Sequence, residues 1–192
     1  MRVNSYPYLR GDGVPVAQPL FQEEGGGSTP TSPLQLHFAP CEAVTAVGLN
    51  ALWHSRLPSF AMATARRNWC YVASFEGGLY VSAIWTPPTA RLLNDRGMIE
   101  LRRFAISPQA PKNTASRMLG WMVRDLKKRE PWIKTFISYQ DCKVHVGTIY
   151  AAAGWKRAEN YISRRRTWTG WRNRPLRKEQ GVGARMRWEL EL

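Results

Sequence analysis

The spacing of apolar and polar positions changes several times along this chain, and each change marks an element. "LQLHF" (34–38) alternates apolar with polar, the two-residue period of a short strand. In "PCEAVTAVGLNALWHS" the period lengthens, and Val44, Val47, Leu49 and Leu52 fall roughly on one side of a helix. "WCYVASFEGGLYVSAIW" holds two β-rich runs around Glu76-Gly77-Gly78, a hairpin pattern. "MIELRRFAI" (98–106) is a further strand, stopped at Ser107-Pro108 because proline cannot donate to a ladder. "NTASRMLGWMVRDLKKRE" predicts a helix capped by Asn113 or Thr114, with Ala115, Met118, Leu119, Met122 and Leu126 in one apolar stripe. "WIKTFISY" returns to strand, and "VGTIYAAAGW" makes a short helix ending at Gly154. "ENYISRRRTWTGW" is a last strand or loop entering a basic tail.

The predicted order is β-α-β-β-β-α-β-α-β. Helices between strands imply an α/β fold, a mixed sheet with parallel portions covered by helices. Residues 1–33, with "GDGVPVAQP" and "EEGGGSTPTSP", are dense in turn-forming residues and read as a flexible N-terminal arm. Residues 34–163 form the expected domain, and 164–192 a basic, Arg- and Trp-rich C-terminal extension.

Composition narrows the partners. Of 192 residues, 44% are hydrophobic and nine are tryptophan, enough for a core. Lys plus Arg outnumber Asp plus Glu by 28 to 14, and a charge of +14 on a small domain attracts polyanions, nucleic acid first. Cys41, Cys70 and Cys142 are odd in number and far apart, which fits neither a disulfide framework nor a cysteine zinc cluster and suits a reducing compartment. The N-terminus lacks the apolar core of a signal peptide, and no run approaches the ~20 apolar residues of a membrane span. The expectation is a soluble cytoplasmic protein without a membrane partner.

Between Lys156 and Arg187 stand eleven Lys plus Arg against two Glu. There Arg164, Arg165, Arg166, Arg172, Arg174, Arg177 and Lys178 interleave with Trp168 and Trp171. Arginine forks grip phosphate and indoles stack on unpaired bases, so this stretch is the expected nucleic-acid surface. A solvated basic face over buried tryptophans would leave the same pattern.

A strand, a long helix, a strand and a short helix carrying Tyr150-x-x-x-Gly154-Trp155 form the layout of the GNAT acyltransferase fold. Within it the chain resembles the Mom family of phage DNA-modification proteins. The resemblance runs from about His37 to Trp155 through "ELRRFAISPQAPKNTASRML", "ISYQDCKVHVGTIYAAAGW" and, less specifically, "WHSRLP". It implies a transferase that hypermodifies adenine at N6 in double-stranded phage DNA, leaving a carbamoylmethyl group that shields the DNA from restriction. Because N6 lies within a base pair, extrusion of the base is expected. The rival readings are a CoA-dependent protein or small-molecule N-acetyltransferase and a non-catalytic DNA-binding accessory protein.

The resemblance also implies a site. Tyr150 is the expected general acid, set among alanines that leave its hydroxyl conspicuous, although a core aromatic would look the same. Asp141, just past an apolar strand, where ligands gather, could accept a proton or hold the donor's amine, or merely cap a helix. Ser138 and Tyr139 flank it, Tyr139 either stacking on a base or turned into the core. His54 and Ser55 match a short family motif. His54, Asp141 and His145 are candidate ligands for an iron suspected in the family. Arg102 and Arg103 sit on one strand, so alternation turns one away from the other, and a covered arginine needs Glu100 or Asp141. With Lys112, Asn113, Ser116, Arg117, Gly147 and Thr148 from the same motifs, they make up the expected substrate- and donor-binding set.

The donor is less determined. The turn "SPQAPKNTAS" holds two prolines and no glycine, so it lacks N–H groups that would hold the pyrophosphate of acetyl-CoA. An activated glycine, such as glycyl-tRNA, would account for the product. Acylation of N6 leaves a free amine that attacks C6 through a five-membered ring. Breaking the old C6–N bond then leaves the glycine nitrogen on C6 and the former N6 as the carboxamide.

Overall fold

The computed structural model describes residues 28–54, 67–88, 90, 93, 96–142, 145–162 and 185–192. Seven strands form one sheet: β1 (His37–Pro40), β2 (Trp69–Phe75), β3 (Gly78–Thr86), β4 (Met98–Ile106), β5 (Thr135–Asp141), β6 (Lys156–Ile162) and β7 (Arg185–Glu191). Their spatial order is β1-β2-β3-β4-β5-β7-β6. All neighbours are antiparallel except β4 and β5, which run parallel across the long helix. The described helices are α1 (Ala43–Trp53), α2 (Thr114–Arg129) and α3 (Thr148–Ala152).

The expected mixed sheet with helices on both faces is present. On one face Met118, Leu119, Met122 and Leu126 of α2 are sealed against Trp85, Ile99, Leu101 and Phe136. On the other, α1 lays Ala46 and Val47 on Cys70 and Ile84. Of the expected α1 stripe Val47 and Leu49 are buried, while Val44 and Leu52 are exposed. Small Ala46 and Gly48 are buried with them, and the backbone comes close enough for Ser82 Oγ to donate to the Ala46 carbonyl at 2.7 Å.

Three local expectations change. Asn113 is the residue before α2 but adopts a left-handed φ of 66° and makes no side-chain cap. The Thr114 hydroxyl donates back to the Pro111 carbonyl at 2.7 Å, so neither side chain caps the helix. Asp141 closes β5 rather than lying past it. Finally, β7 was absent from the predicted order, and it carries the sheet beyond the boundary expected at residue 163. Its alternation of Met186, Trp188 and Leu190 with charged residues is a legible strand pattern hidden in a basic tail.

Two features of β4 shape the centre of the sheet. Ile84 and Trp85 of β3 face Arg103 and Leu101, leaving Arg102 as the extra residue of a bulge. The parallel pairing of β4 with β5 runs from Met98↔Thr135 to Leu101↔Ser138 and stops there. Bulges bend and twist a strand, and beyond this one β4 and β5 part, opening a fork in the sheet.

Candidate functional site at the strand fork

Ser138 is the last β5 residue paired with β4, so its side chain marks the base of the fork. Its Oγ donates to the Leu101 carbonyl at 3.4 Å and lies 2.9 Å from the Tyr150 hydroxyl. Either hydroxyl can donate in the shorter of these two contacts. Tyr150 is 8% exposed. Burial raises its pKa, only partly offset by the Ser138 bond, so the phenol stays protonated at neutral pH.

Tyr150 is held from two sides. Trp188 of β7 stacks on its ring at 5.4 Å and 21°, and Trp155 packs at 5.7 Å. Aromatic contacts of this kind add about 0.5–1.5 kcal/mol each beyond burial. The Trp188 indole N–H donates to Gln140 Oε1 at 2.7 Å, and Gln140 Nε2 donates to the His145 carbonyl. Gly147, with φ +84°, starts α3 against this pair, where a Cβ would overlap Gln140 Oε1 and Trp188 Cζ2. A side chain at this position has no room. Thr148 is exposed at the first turn of α3.

Tyr150 and Asp141 do not meet. Side chains alternate along a strand, so Ser138 and Gln140 share the Tyr150 face while Tyr139 and Asp141 share the other. On that second face lie Arg102, bonded to Glu100 at 3.6 Å, and Arg103, whose Nη1 donates to the Arg102 carbonyl at 2.7 Å. The bulge overturns the expectation that the two arginines face apart, because an inserted residue breaks the alternation. Burial pushes the Arg103 pKa down to about 10, helped by Arg102 and Arg185 and opposed by Glu100. His54, just after α1, feels Arg103 and His145; burial first, then these two, hold its pKa below the usual 6.5.

Tyr139 and Tyr161 pair their rings at 5.2 Å on this same face, and Arg187 lies 5.0 Å from the Tyr161 ring. Tyr139 is thus turned away from the α2 core and half-buried. Burial, Glu100 and Tyr161 raise its pKa, while a bond to Arg187 opposes them. Arg187 Nε and Glu189 Oε1 are 2.6 Å apart, a charge pair without hydrogen-bond alignment. Tyr161, Trp188, Arg187 and Gln140 went unnoticed in the sequence; the period-2 pattern at 185–191 could have revealed Trp188 and Arg187.

Among the described residues no three His, Cys, Asp or Glu side chains form a metal-binding group, so the iron expected at His54, Asp141 and His145 gains no support. Ser55 and the tail residues Arg164, Arg165, Arg166, Trp168, Trp171, Arg172, Arg174, Arg177 and Lys178 lie outside the described residues, as do residues 1–27 of the arm. No described helix is long and apolar enough to cross a membrane.

The turn before α2 revises the donor expectation. Its own structure uses the N–H groups of Gln109, Ala110 and Thr114, and Pro108 and Pro111 have none. Those of Lys112, Asn113, Ala115 and Ser116 have no backbone partner among the described residues. Ser116 Oγ donates to the Asn113 carbonyl at 3.2 Å, and Arg117, exposed like Lys112, lies over Phe38. Free N–H groups at a helix start beside two cations suit a diphosphate. The prolines therefore do not exclude a CoA-type donor; Lys112, Asn113, Ser116 and Arg117 would hold it.

Solved structures share this architecture. The chain superposes on the ribosomal-protein-S18-alanine N-acetyltransferase of Escherichia coli with TM-score 0.57 at 16% identity, covering 81% of this chain and 93% of that one. An acetyltransferase of Bacillus subtilis in complex with CoA gives 0.58 at 15% identity, covering 82% and 99%. A GNAT family acetyltransferase of Elizabethkingia anophelis with acetyl-CoA bound gives 0.57 at 12%, covering 82% and 99%. These likenesses establish the GNAT fold. No curated protein matches the chain. The Mom protein family matches residues 78–183, more than half of the chain and all of the fork from β3 to α3. The chain belongs to the Mom protein family.

Proposed function

We propose that this protein is an acyl-transfer enzyme that converts adenine in double-stranded DNA to N6-carbamoylmethyladenine, protecting phage DNA from restriction in the host cytoplasm. Family membership supports the substrate, and the Ser138–Tyr150 hydroxyl pair at the base of the fork carries the chemistry.

A protonated, buried phenol is suited to give its proton to a leaving group, and Ser138 holds the phenol oxygen in place. The N–H groups opening α2 orient the donor's anionic part, while the opposite face of the fork receives the base. A bound glycyl ester or glycyl thioester would supply both the activated acyl carbon and the nitrogen that the product requires. In the ester version a tRNA is the carrier, and the basic tail has charge for both nucleic acids.

The test is to incubate the purified protein with duplex DNA and, separately, acetyl-CoA or labelled glycine with tRNA and its synthetase, then digest the DNA and weigh the deoxyadenosines. A mass gain equal to one glycine less one water supports the reading. Unmodified adenine with both donors rejects it. A second reading, a CoA-dependent N-acetyltransferase of protein or small molecules, is favoured by the free N–H groups at α2. Acetyl transfer to peptides or amines with unmodified DNA would select it. DNA binding without modification of any substrate would mark an accessory protein.

A further inference from the structure

We propose that the sheet face opposite Tyr150 carries a nucleotide platform, in which the Tyr139–Tyr161 ring pair stacks an unpaired base and Arg103 takes a flanking phosphate. This rests on the reading that the acceptor is nucleic acid and adds the place where it sits.

The two tyrosines are half-buried on the polar side of the sheet, away from the core that claims the other buried aromatics. Their rings are 5.2 Å apart and tilted by 56°. Arg187 clamps them together, with its guanidinium 5.0 Å from the Tyr161 ring and a bond to the Tyr139 hydroxyl. The clamp leaves little side-chain freedom to lose when a planar ring settles on the pair. On this side α1 packs over β2, β3 and β4, and the tyrosines stand on β5 and β6.

The charges around the rings are unevenly matched. Arg102 pairs with Glu100, and Arg187 with Glu189. Arg103 has no carboxylate within 4.0 Å among the described residues, and its buried Nε has no partner there. A largely desolvated guanidinium without a carboxylate calls for an anion. Beside an aromatic pair, that anion and a flat ring together describe a nucleotide. Bases in a duplex are already stacked, so the ligand is a nucleotide in single-stranded or extruded form.

The experiment reads binding of a thymidine hexamer bearing one central 2-aminopurine, and of the same hexamer with an abasic centre, with no donor present. The wild type is expected to quench the 2-aminopurine and bind it more tightly than the abasic strand. Tyr161→Leu should weaken the base-bearing strand by roughly 5- to 100-fold, as expected for loss of one stacking contact, and erase the preference over the abasic strand. Arg103→Met should weaken both strands alike and lower the salt slope by about 0.7, one phosphate on a single strand. Each variant's melting curve is recorded alongside; if Tyr161→Leu fails to fold, Tyr139→Phe, which frees the Arg187 clamp, takes its place and should halve or more the quench. Equal wild-type binding of both strands would overturn the proposal, as would an unchanged preference in the folded tyrosine variant or an unchanged salt slope in Arg103→Met. Since no acyl transfer is measured, a silent mass assay with base-selective binding sinks the enzymatic reading and leaves the platform standing. Modified DNA from Tyr161→Leu at the wild-type rate does the reverse.

Discussion

The hydroxyl of Tyr150 and that of Ser138 meet 2.9 Å apart where β4 and β5 separate. Tyr150→Phe keeps the stacking on Trp188 and removes only the oxygen. It should cut turnover about 10²- to 10⁴-fold, the range for a lost general acid, with stability falling by about 1 kcal/mol. Ser138→Ala should cost less, because the phenol survives. Modified deoxyadenosine per unit time and a thermal melt measure both, and a Tyr150→Phe enzyme at full rate would remove the phenol from the chemistry.

Two glycines near this site separate backbone strain from packing. Gly154 has φ +80° and open space around it, so Gly154→Ala should lose about 1–2 kcal/mol from the left-handed conformation alone. Gly147 has φ +84° and presses on Gln140 and Trp188, so Gly147→Ala should lose that amount plus a further ~1–3 kcal/mol of overpacking. Urea midpoints compare them, and equal losses would show that Gly147 has room.

Trp188 reaches the site from the last strand and is 4% exposed. Trp188→Ala should destabilise the fold by about 3–5 kcal/mol and loosen Tyr150 and Gln140 together. Deleting residues 185–192 removes β7 from between β5 and β6 and should yield no soluble protein. A soluble, cooperatively melting truncation would show the strand to be dispensable.

His54 supplies a pH test. Its folded pKa lies below 6.5, from burial, then Arg103, then His145. The unfolded chain therefore binds this proton more readily, and stability is complete above pH 6.5 and is lost as pH falls through the folded value. The gap in melting temperature between wild type and His54→Gln should be constant above about pH 6.5 and shift against the wild type below it. Parallel curves down to about pH 5 would contradict the assigned shift.

Local pattern carried much of the fold. The α2 stripe of Met118, Leu119, Met122 and Leu126 repeats at helical spacing and is buried as that spacing requires. The α1 stripe was half right: Val47 and Leu49 are buried, but Val44 and Leu52 face solvent because Ala46 packs closely on Ser82. The alternation of Met186, Trp188 and Leu190 in β7 is obscured in the sequence by the eleven basic residues between 156 and 187.

Chain order was enough to specify the mixed sheet, the long amphipathic helix and the Tyr-x-x-x-Gly-Trp turn, because each depends on neighbours a few residues apart. The partners of Tyr150 depended on the assembled sheet. A spacing of three residues puts Ser138 and Asp141 on opposite faces, and the Arg102 bulge brings two successive arginines together. Only strand pairing across the fold establishes which face meets α3, since a strand's alternation is symmetric until one side is covered.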